Sequence, residues 1–257
     1  MLKKAVSVGL ATITKTVTIT ASAVYRGDVS PSSWLRRARR ARVWLRAMIY
    51  ETPAAVWDLT YENSPPWEIA RPQSAYFAIA DTGDIRGSVL DVGCGTGELV
   101  LFLQKRGHNI LGIDISPRAI ASAQAKARAQ NVEDAIFHIA DAFALGALGR
   151  TFDTVIDSGL FHTFPDPLWR ARYAMSLASI IRPGGALFIL AISDREPSDW
   201  GGPYRIAKGD FLQAFGKGWH VAYVRPARCE TNLDRHATGG GAEAWLARID
   251  RGSDQKP

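Results

Sequence analysis

The chain has 257 residues, of which 47% are hydrophobic and 22% are charged, with 23 glycines and 13 prolines. This composition is that of an ordinary globular protein, and it excludes a collagen-like, low-complexity or wholly disordered chain. Cys94 and Cys229 cannot build a disulfide framework, and the sequence holds no paired metal-ligand spacing. No apolar run approaches the ~18 residues that a membrane-spanning helix needs, so we expect a soluble, cytoplasmic protein.

The basic charge is concentrated at the N-terminus. The formal net charge is +6, but residues 1–47 hold ten lysines and arginines against one aspartate, a balance of +9. The remaining 210 residues carry 21 basic and 24 acidic side chains, a balance of −3. The high isoelectric point therefore belongs to the N-terminal segment and not to a nucleic-acid-binding face.

The N-terminal segment admits four interpretations. Its basic start and weakly apolar stretch resemble a signal peptide, whereas its many arginines and few acids are typical of an organelle transit peptide. Residues 34–49 form a basic amphipathic pattern that suits weak contact with an anionic membrane surface. Alternatively, the start is assigned too far upstream and the protein begins near Met48. We predict a poorly ordered or partly helical, non-catalytic extension over residues 1–50, followed by one domain over residues 51–257.

From Ala55 onward, short apolar runs alternate with helical patterns. A helix is predicted over residues 168–180, and the Arg-Pro-Gly-Gly sequence at 182–185 is expected to end it. The apolar runs predict seven strands, over residues 88–92, 109–113, 135–139, 152–156, 186–192, 219–224 and 242–249. Strands that alternate with helices predict an α/β fold with a doubly wound, mostly parallel sheet.

The most informative segment is the glycine-rich loop after the first predicted strand. There Gly93, Gly95 and Gly97 open a helix, which lets a ligand approach the backbone closely. The loop lacks the longer G-x-G-x-x-G spacing of dinucleotide-binding loops. Glu98 at the helix start is expected to disfavour an anionic pyrophosphate, so a zwitterionic amino-acid tail fits the loop better than a phosphate.

Carboxylates follow the next three predicted strands. Asp114 follows the second strand, where a carboxylate can accept hydrogen bonds from both hydroxyls of a ribose. Asp141 follows the third strand and could accept from the exocyclic amine of adenine or cap a helix N-terminus. Asp157 follows the fourth strand, beside the point where the strand order of an open sheet reverses and ligands bind.

The segment from Val89 to Glu98, together with Asp114, Asp141 and Asp157, resembles the class I S-adenosylmethionine (SAM) methyltransferases over about residues 55–250. The resemblance implies seven strands with an antiparallel last hairpin, SAM as cofactor, S-adenosylhomocysteine as product, and no metal. It implies that the methionine end of the cofactor is bound by Gly93, Cys94, Gly95 and Gly97. The ribose is then bound by Asp114 and Ile115, and the adenine by Asp141 and Ala142. Asp91 and Asp157 complete the implied cofactor-binding set.

Residues 57–61 and 65–73, here called the aromatic segment, resemble a segment of the thiopurine and thiol/halide methyltransferases that lays aromatic side chains over the cofactor. The resemblance implies that Trp57, Tyr61 and Trp67 surround the sulfonium cation and that Arg71 binds the methionine carboxylate. Ala70 stands where that family usually has glycine. The alternative is that the three aromatic side chains pack a helix onto the sheet.

His162 is the candidate general base, because it follows the fourth strand near the expected methyl group and imidazole titrates near neutrality. Alternatively, His162 packs between Phe161 and Phe164. Residues 157–164, taken with the aromatic segment, also resemble mycobacterial benzoquinone and heterocyclic-toxin methyltransferases. The loop over residues 193–210, with Trp200, Tyr204 and Arg205, suits a cover over a flat, apolar acceptor, or is an ordinary surface loop.

Three functions remain open. We expect a SAM-dependent methyltransferase that acts on an O, N or S atom of a small aromatic or heterocyclic molecule, because the chain holds no separate substrate domain. The acidic body and the Asp157-Ser-Gly-Leu sequence, which lacks the signature of nucleic-acid amino methylases, argue against a nucleic-acid substrate. A SAM-binding sensor or partner subunit is the non-enzymatic alternative, and a nicotinamide-dependent oxidoreductase is the alternative enzyme class.

Overall fold

The computed structural model describes residues 53–62, 64–197, 203–233 and 240–252. The predicted extension over residues 1–50 and Trp200 of the predicted cover loop lie outside the described residues. The described α-helices are α1 (Pro53–Thr60), α2 (Ala75–Asp81), α3 (Glu98–Lys105), α4 (Pro117–Ala129), α5 (Pro167–Ala178) and α6 (Lys208–Ala214). The described strands are β1 (Ser88–Val92), β2 (Asn109–Asp114), β3 (Ile136–Ile139), β4 (Phe152–Ser158), β5 (Ile181–Ile192), β6 (Trp219–Glu230) and β7 (Gly241–Arg251). Two short 3-10 helices cover Ala142–Leu148 and Phe161–Thr163.

The seven described strands form one sheet in the order β3-β2-β1-β4-β5-β7-β6. Strands β1 to β5 pair in parallel, and β7 lies antiparallel between β5 and β6. This topology confirms the predicted doubly wound sheet with an antiparallel last hairpin. The strand order reverses between β1 and β4, so the loops at the carboxyl ends of these two strands diverge and leave a cleft between them.

Helices cover both faces of the sheet, which explains why the central strands are continuous apolar runs. On β1, Val89 belongs to the core under α3, whereas its neighbour Leu90 belongs to the core under α5. α3 contributes Leu99 and Leu103 to the first core, and α5 contributes Tyr173 and Leu177 to the second. The two cores fix the sheet between its helices and so hold the carboxyl ends of β1 and β4 in place.

The region between α5 and β5 differs from the prediction. The helix ends at Ala178, and the Arg-Pro-Gly-Gly sequence at 182–185 lies within β5 instead of before it. Ile181 pairs with Phe152, and Ala186 pairs with Thr154. Between these two pairs, β5 therefore contains three more residues than β4 does. β5 therefore bulges at the two glycines and reaches back to the helix, which a sequence pattern of turn residues does not reveal.

Helix α6 occupies the end of the segment that we predicted as the cover loop. Phe211 on α6 is fully buried, and its ring stacks on Phe161 with the centroids 5.3 Å apart. Arg170 of α5 forms an ion pair of 2.8 Å with Asp210. The last three residues of the predicted loop thus begin a short helix that packs against the turn that follows β4. Among the described residues, no helix is long and apolar enough to cross a membrane.

Candidate functional site

The glycine-rich loop depends on backbone conformations that favour glycine. Gly93, Gly95 and Gly97 have positive φ angles of 72°, 54° and 86°. Gly97 is also the N-cap of α3, and a Cβ at this position would lie 2.8 Å from the ring of Phe137 and 2.9 Å from the side chain of Ala123. Both the turn and the close packing of α3 against its neighbours therefore require glycine here.

The other two glycines let two segments approach the loop. A Cβ on Gly95 would lie 2.9 Å from the hydroxyl oxygen of Tyr61, and a Cβ on Gly93 would lie 3.2 Å from the Cβ of Leu160. The aromatic segment and the turn after β4 thus meet at the same loop, at the carboxyl ends of β1 and β4. The geometry brings together the parts that were predicted to form the site.

Cys94 lies between these glycines, and its contacts are those of a residue with a structural role. Its amide donates to the carbonyl oxygen of Ile113 at 2.8 Å, which extends the pairing between β1 and β2. Burial raises the pKa of the Cys94 thiol well above its ordinary value, with further increases from Asp91 and Asp114. The thiol is therefore kept protonated and unreactive, as expected for a small residue of the loop.

Asp114, the last residue of β2, connects the glycine loop to the start of α4. Its Oδ2 accepts a hydrogen bond from the Gly95 amide at 3.0 Å, and its Oδ1 accepts from the Ser116 amide at 2.9 Å. Burial raises the pKa of Asp114, while these backbone donors lower it. Each carboxylate oxygen has a second lone pair, so Asp114 retains the capacity to accept two hydroxyls beside the half-buried Ile115.

Asp91 on β1 is a buried carboxylate that lacks a partner. Its Oδ1 is inaccessible and accepts no hydrogen bond within the described part of the chain. Burial raises the pKa of Asp91 to about 8, and the neighbouring Asp157 and Asp114 add to the increase. An unsatisfied buried acceptor is costly, and a cation held beside it would relieve both the missing hydrogen bond and the repulsion.

Asp157 organises the turn that follows β4. Its Oδ1 accepts from the amides of Leu160 at 2.7 Å and Phe161 at 3.2 Å, and its Oδ2 accepts from the hydroxyl of Tyr173 at 3.0 Å. Burial raises its pKa to about 7, although these donors act in the opposite direction. In this geometry Asp157 positions the turn against the glycine loop, and its direct contact with a cofactor stays a prediction.

The three predicted aromatic side chains lie together. The ring of Trp67 is 6.2 Å from that of Trp57 and 6.2 Å from that of Tyr61, both in edge-on arrangements, and Trp67 Nε1 donates to the Tyr61 hydroxyl at 3.4 Å. Burial and the charge of Asp114 raise the pKa of Tyr61. No residue of α1 is buried, and Trp67 remains 38% exposed. This exposure favours an aromatic surface open to a ligand over a helix that serves only to pack onto the sheet.

Two polar contacts that the sequence did not reveal fasten the aromatic segment over the loop. Asp58 Oδ1 accepts from the Ser116 hydroxyl at 2.5 Å and from the Arg118 amide at 2.9 Å. Glu68 Oε2 accepts from the Thr96 hydroxyl at 2.6 Å. Each contact joins residues far apart in sequence, and neither carboxylate stands in a pattern that would single it out.

The position of Ala70 has a conformational explanation. Its φ angle is +56°, in the left-handed region that glycine adopts more readily than alanine. The glycine that is usual here in the resembling family is therefore explained by the backbone. In this chain an alanine occupies the same conformation.

Arg71 is engaged by the last residue of β6. Its two terminal nitrogens form a forked ion pair with Glu230 of β6, with N–O distances of 2.6 Å and 2.9 Å. Hydrogen bonds from Arg71 and the amide of Ser74 lower the pKa of Glu230 to about 2. This geometry gives Arg71 the role of tying the aromatic segment to β6, and its contact with the methionine carboxylate stays a prediction.

The same strand end holds the aromatic segment at a second point. The amide of Asn232 donates to the carbonyl oxygen of Pro66 at 2.8 Å, and its side-chain nitrogen donates to Pro65 and Glu68 carbonyl oxygens at 3.1 Å each. Together with the Arg71–Glu230 pair, these contacts form a clasp between the aromatic segment and the end of β6.

The charge of Glu98 does not exclude an anion, contrary to the expectation from the sequence. Glu98 Oε1 forms an ion pair of 2.6 Å with Lys126 Nζ, which also donates to the Thr96 hydroxyl at 2.6 Å. The negative charge at the start of α3 is therefore largely compensated. The preference for an amino-acid tail over a phosphate then depends on the spacing of the glycines and on the unpartnered Asp91.

Asp141 is the N-cap of the 3-10 helix Ala142–Leu148. Its Oδ1 accepts from the amide of Phe143 at 2.8 Å, and the residue is exposed to solvent. The amide of Ala140 donates to the Asp114 carbonyl oxygen at 3.0 Å, which places Asp141 and Ala142 beside the end of β2. The capping role is thus present, and the adenine contact stays a prediction for Asp141 and Ala142.

His162 lies in the 3-10 turn Phe161–Thr163 and is 6% exposed. Its Nδ1 accepts a hydrogen bond of 3.0 Å from the amide of Ile192. Burial lowers the pKa of His162 to about 3, and the positive charge of Arg205 lowers it further. The expectation that His162 titrates near neutrality was therefore wrong, because the residue lies in the packed turn between two buried phenylalanines.

Comparison with known proteins places this site in a family. Residues 89–185 match a family described as a methyltransferase domain. The chain is 34% identical over 178 residues to the 2-heptyl-1-hydroxyquinolin-4(1H)-one methyltransferase of Mycobacteroides abscessus, covering 68% of this chain and 78% of that protein. Together with the seven-stranded sheet, this similarity shows that the chain belongs to the class I SAM-dependent methyltransferases.

Two further relatives show the same relationship. A probable thiol methyltransferase 2 of Arabidopsis thaliana is 25% identical over 166 residues, which cover 64% of this chain and 73% of that protein. A solved structure from work on the conversion of a disulfide bond into a thioacetal group during echinomycin biosynthesis has 34% sequence identity and a TM-score of 0.70. It covers 80% of this chain and 94% of that one.

The residues of the cleft fit SAM. The unpartnered oxygen of Asp91 suits the ammonium group of an amino-acid tail, and Asp114 has lone pairs for two ribose hydroxyls. The aromatic cluster around Trp67 suits a sulfonium cation. Among the described residues, no group of three or more His, Cys, Asp or Glu side chains could hold a metal ion.

Proposed function

We propose that this enzyme transfers a methyl group from SAM to an O, N or S atom of a small aromatic or heteroaromatic molecule. The observation that carries the proposal is the meeting of the aromatic segment, the glycine loop and the turn after β4 at one cleft. The name of the Mycobacteroides abscessus relative, a hydroxyquinolinone methyltransferase, supports a heteroaromatic acceptor.

Each protein group on the cofactor side of the cleft would bind a different part of SAM. Asp91 would pair with the ammonium group, the glycine loop would accommodate the methionine end, and Asp114 would orient the ribose. Bound SAM would supply a methyl group on a positively charged sulfur, already activated for in-line displacement. Asp141 and Ala142 would contact the adenine from the start of the 3-10 helix.

The protein's contribution to such a transfer is alignment and exclusion of water. Leu160 contacts Gly93 of the loop, and Phe161 and Phe164 are buried behind the turn, so the acceptor side of the cleft has apolar support. The Asp157 carboxylate fixes this turn through two backbone amides. A flat, apolar acceptor is therefore favoured over a highly charged one.

Three expectations from the sequence stay predictions: a metal-free reaction, no nucleic-acid substrate, and weak membrane-surface contact of the N-terminal extension. The acidic balance of the chain after residue 47 supports the second of these. No geometric feature of the described residues favours a nicotinamide cofactor or a non-catalytic sensor over methyl transfer.

The test is a calorimetric titration of the full chain with SAM, S-adenosylhomocysteine and NAD, followed by a screen of acceptors with methylation read by mass spectrometry. We expect binding of the two adenosyl ligands and not of NAD, and methylation of hydroxyquinolines, quinols or thiols. Binding of SAM without turnover of any acceptor would instead support the sensor, and binding of NAD alone would support the oxidoreductase.

A further inference from the structure

The hydrogen bond at His162 determines which ring nitrogen carries the proton. A backbone amide donates a proton and cannot accept one, so the Nδ1 atom that faces the Ile192 amide must be unprotonated. Because the buried ring is neutral at physiological pH, its single proton resides on Nε2. His162 therefore presents an N–H donor and has no unoccupied proton-accepting nitrogen.

The sheet explains why Nδ1 is committed in this way. β4 ends at Ser158, opposite Leu190 of β5, whereas β5 continues to Ile192. The Ile192 amide thus lies beyond the last residue that β4 could offer, and the imidazole takes the place of the missing carbonyl oxygen. Turning the ring to free Nδ1 would leave this buried amide without a partner, which is costly.

The Nε2 edge of the ring faces the end of β4. A Cβ placed on Gly159 would lie 3.5 Å from Nε2 and 3.4 Å from Cε1, so the ring lies over the backbone of this glycine. Within the described part of the chain, Nε2 has no hydrogen-bond partner. Gly159 precedes Leu160, and a Cβ on Gly93 of the cofactor loop would lie 3.2 Å from the Cβ of Leu160, so the ring belongs to the turn that borders this loop.

We propose that His162 donates a hydrogen bond from Nε2 to the acceptor oxygen, and that the acceptor is a hydroxylated aromatic or heteroaromatic molecule bound as its oxyanion. This proposal rests on the proposed methyl transfer and specifies its substrate class. His162 then touches the reacting atom as a donor and not as a general base.

The proton of the acceptor hydroxyl has no suitable destination at the turn. Nδ1 of His162 is occupied by Ile192, and the Asp157 carboxylate, although its pKa is about 7, is fully buried and held by the turn and by Tyr173, with no exposure to the cleft. We infer that this proton leaves to water before binding. An electron pair of the acceptor oxyanion then forms the bond to the methyl carbon, and the pair of the broken carbon–sulfur bond stays on sulfur. Anion and sulfonium cation become two uncharged centres, and no proton moves during transfer.

The first test uses the wild-type full chain and a series of phenols and hydroxyquinolines whose own pKa values span about 5 to 10. With SAM saturating at every pH, we expect kcat/KM for the acceptor to rise with pH through an inflection that follows the pKa of each acceptor. An inflection at one fixed pH for every acceptor would reveal a base on the protein and overturn the proposal. Methylation of nitrogen or sulfur acceptors but of no hydroxylated acceptor would overturn it while leaving methyl transfer intact. Failure with all three acceptor types would overturn the proposed function itself.

The second test compares two substitutions of the same residue. His162→Gln retains an N–H donor of similar reach but cannot act as a base, whereas His162→Phe removes the donor. We expect kcat/KM of the Gln variant to stay within about 10-fold of wild type and that of the Phe variant to fall about 10- to 100-fold. Calorimetric SAM binding checks that both variants are folded, and His220→Gln at an exposed position of β6 serves as a control. An equal loss of kcat/KM in both variants, with SAM binding intact, would contradict the donor role. If neither variant folds, the pH series with the wild-type protein decides the question.

Discussion

The hydroxyl of Ser116 donates a hydrogen bond of 2.5 Å to Asp58 Oδ1, which joins α1 to the first turn of α4. Ser116 is also the N-cap of α4 and follows Asp114 by two residues. The helix that carries Trp57 is therefore attached to the loop predicted to bind the ribose. Closure of the aromatic segment and binding of the cofactor are expected to be coupled through this contact.

Substitution of Asp58 tests the coupling. We expect Asp58→Ala to weaken SAM binding by about 1–2 kcal/mol, because two hydrogen bonds to a carboxylate are lost and α1 is released from the loop. SAM should also dissociate faster, as measured by stopped-flow displacement. Glu62→Ala is the matched control, because within the described part of the chain the Glu62 carboxylate pairs with the side chain of Arg118 at the surface. Equal affinities for Asp58→Ala and the control would show that α1 does not retain the cofactor.

Asp114 is expected to contribute directly to cofactor binding. Asp114→Ala should weaken the binding of SAM and S-adenosylhomocysteine by about 1–3 kcal/mol, because charged hydrogen bonds to the ribose are lost and the Gly95 amide loses its acceptor. Calorimetry measures the change. Asp153→Ala is the control, because Asp153 lies at the opposite end of β4 and its carboxylate stabilises the fold without a predicted contact with the cofactor. An affinity equal to that of wild type would exclude the ribose assignment.

The raised pKa of Asp91 predicts that cofactor binding releases a proton. Without a ligand this carboxyl has a pKa of about 8 and is mostly protonated at pH 7. A neighbouring ammonium group stabilises the ionised form, so binding lowers the pKa and affinity should increase as pH rises from 6 toward 8. The increase ends where the ligand's own ammonium group begins to lose its proton.

Calorimetry in two buffers with different ionisation heats measures this release directly. At pH 7 the observed heats of SAM binding should differ between the buffers, and Asp91→Asn should remove the difference. Identical heats for the wild-type protein in both buffers would contradict an ionic contact at Asp91.

The left-handed conformation of Ala70 predicts a stabilising substitution. Ala70→Gly should raise the free energy of unfolding by up to about 1 kcal/mol, because relief of the positive φ angle exceeds the entropy that glycine adds to the unfolded chain. Asn131, with a φ angle of 54°, offers a comparison, since asparagine tolerates this region and Asn131→Gly should change stability less. Urea unfolding measures both, and a destabilised Ala70→Gly variant would refute the assignment of strain.

The sequence predicted the parts of the fold that have strong local signals. β1 was predicted to the residue, because an apolar run ended directly at Gly93. Helices α2 and α6 were missed, because seven residues form only about two helical turns, too few to establish a period. The bulge of β5 was missed because its glycines have the appearance of an ordinary turn.

The site was predictable where the chemistry lies within one short segment or one family pattern. The glycine loop and the cluster of Trp57, Tyr61 and Trp67 are examples. The ion pair of Arg71 was not predictable, because its partner Glu230 lies 159 residues away. The state of His162 was likewise set by Ile192 and Arg205, which no local pattern connects with it.

The clasp between the aromatic segment and the end of β6 has a consequence for the order in which the protein matures. Glu230 and Asn232 emerge from the ribosome long after the glycine loop and the aromatic segment have been made. A nascent chain that ends before β6 can form the central parallel strands, but its aromatic segment has no clasp. Formation of the last hairpin is then expected to complete the attachment of the aromatic segment, so a substitution in β6 far from any reacting atom is expected to weaken retention of the cofactor.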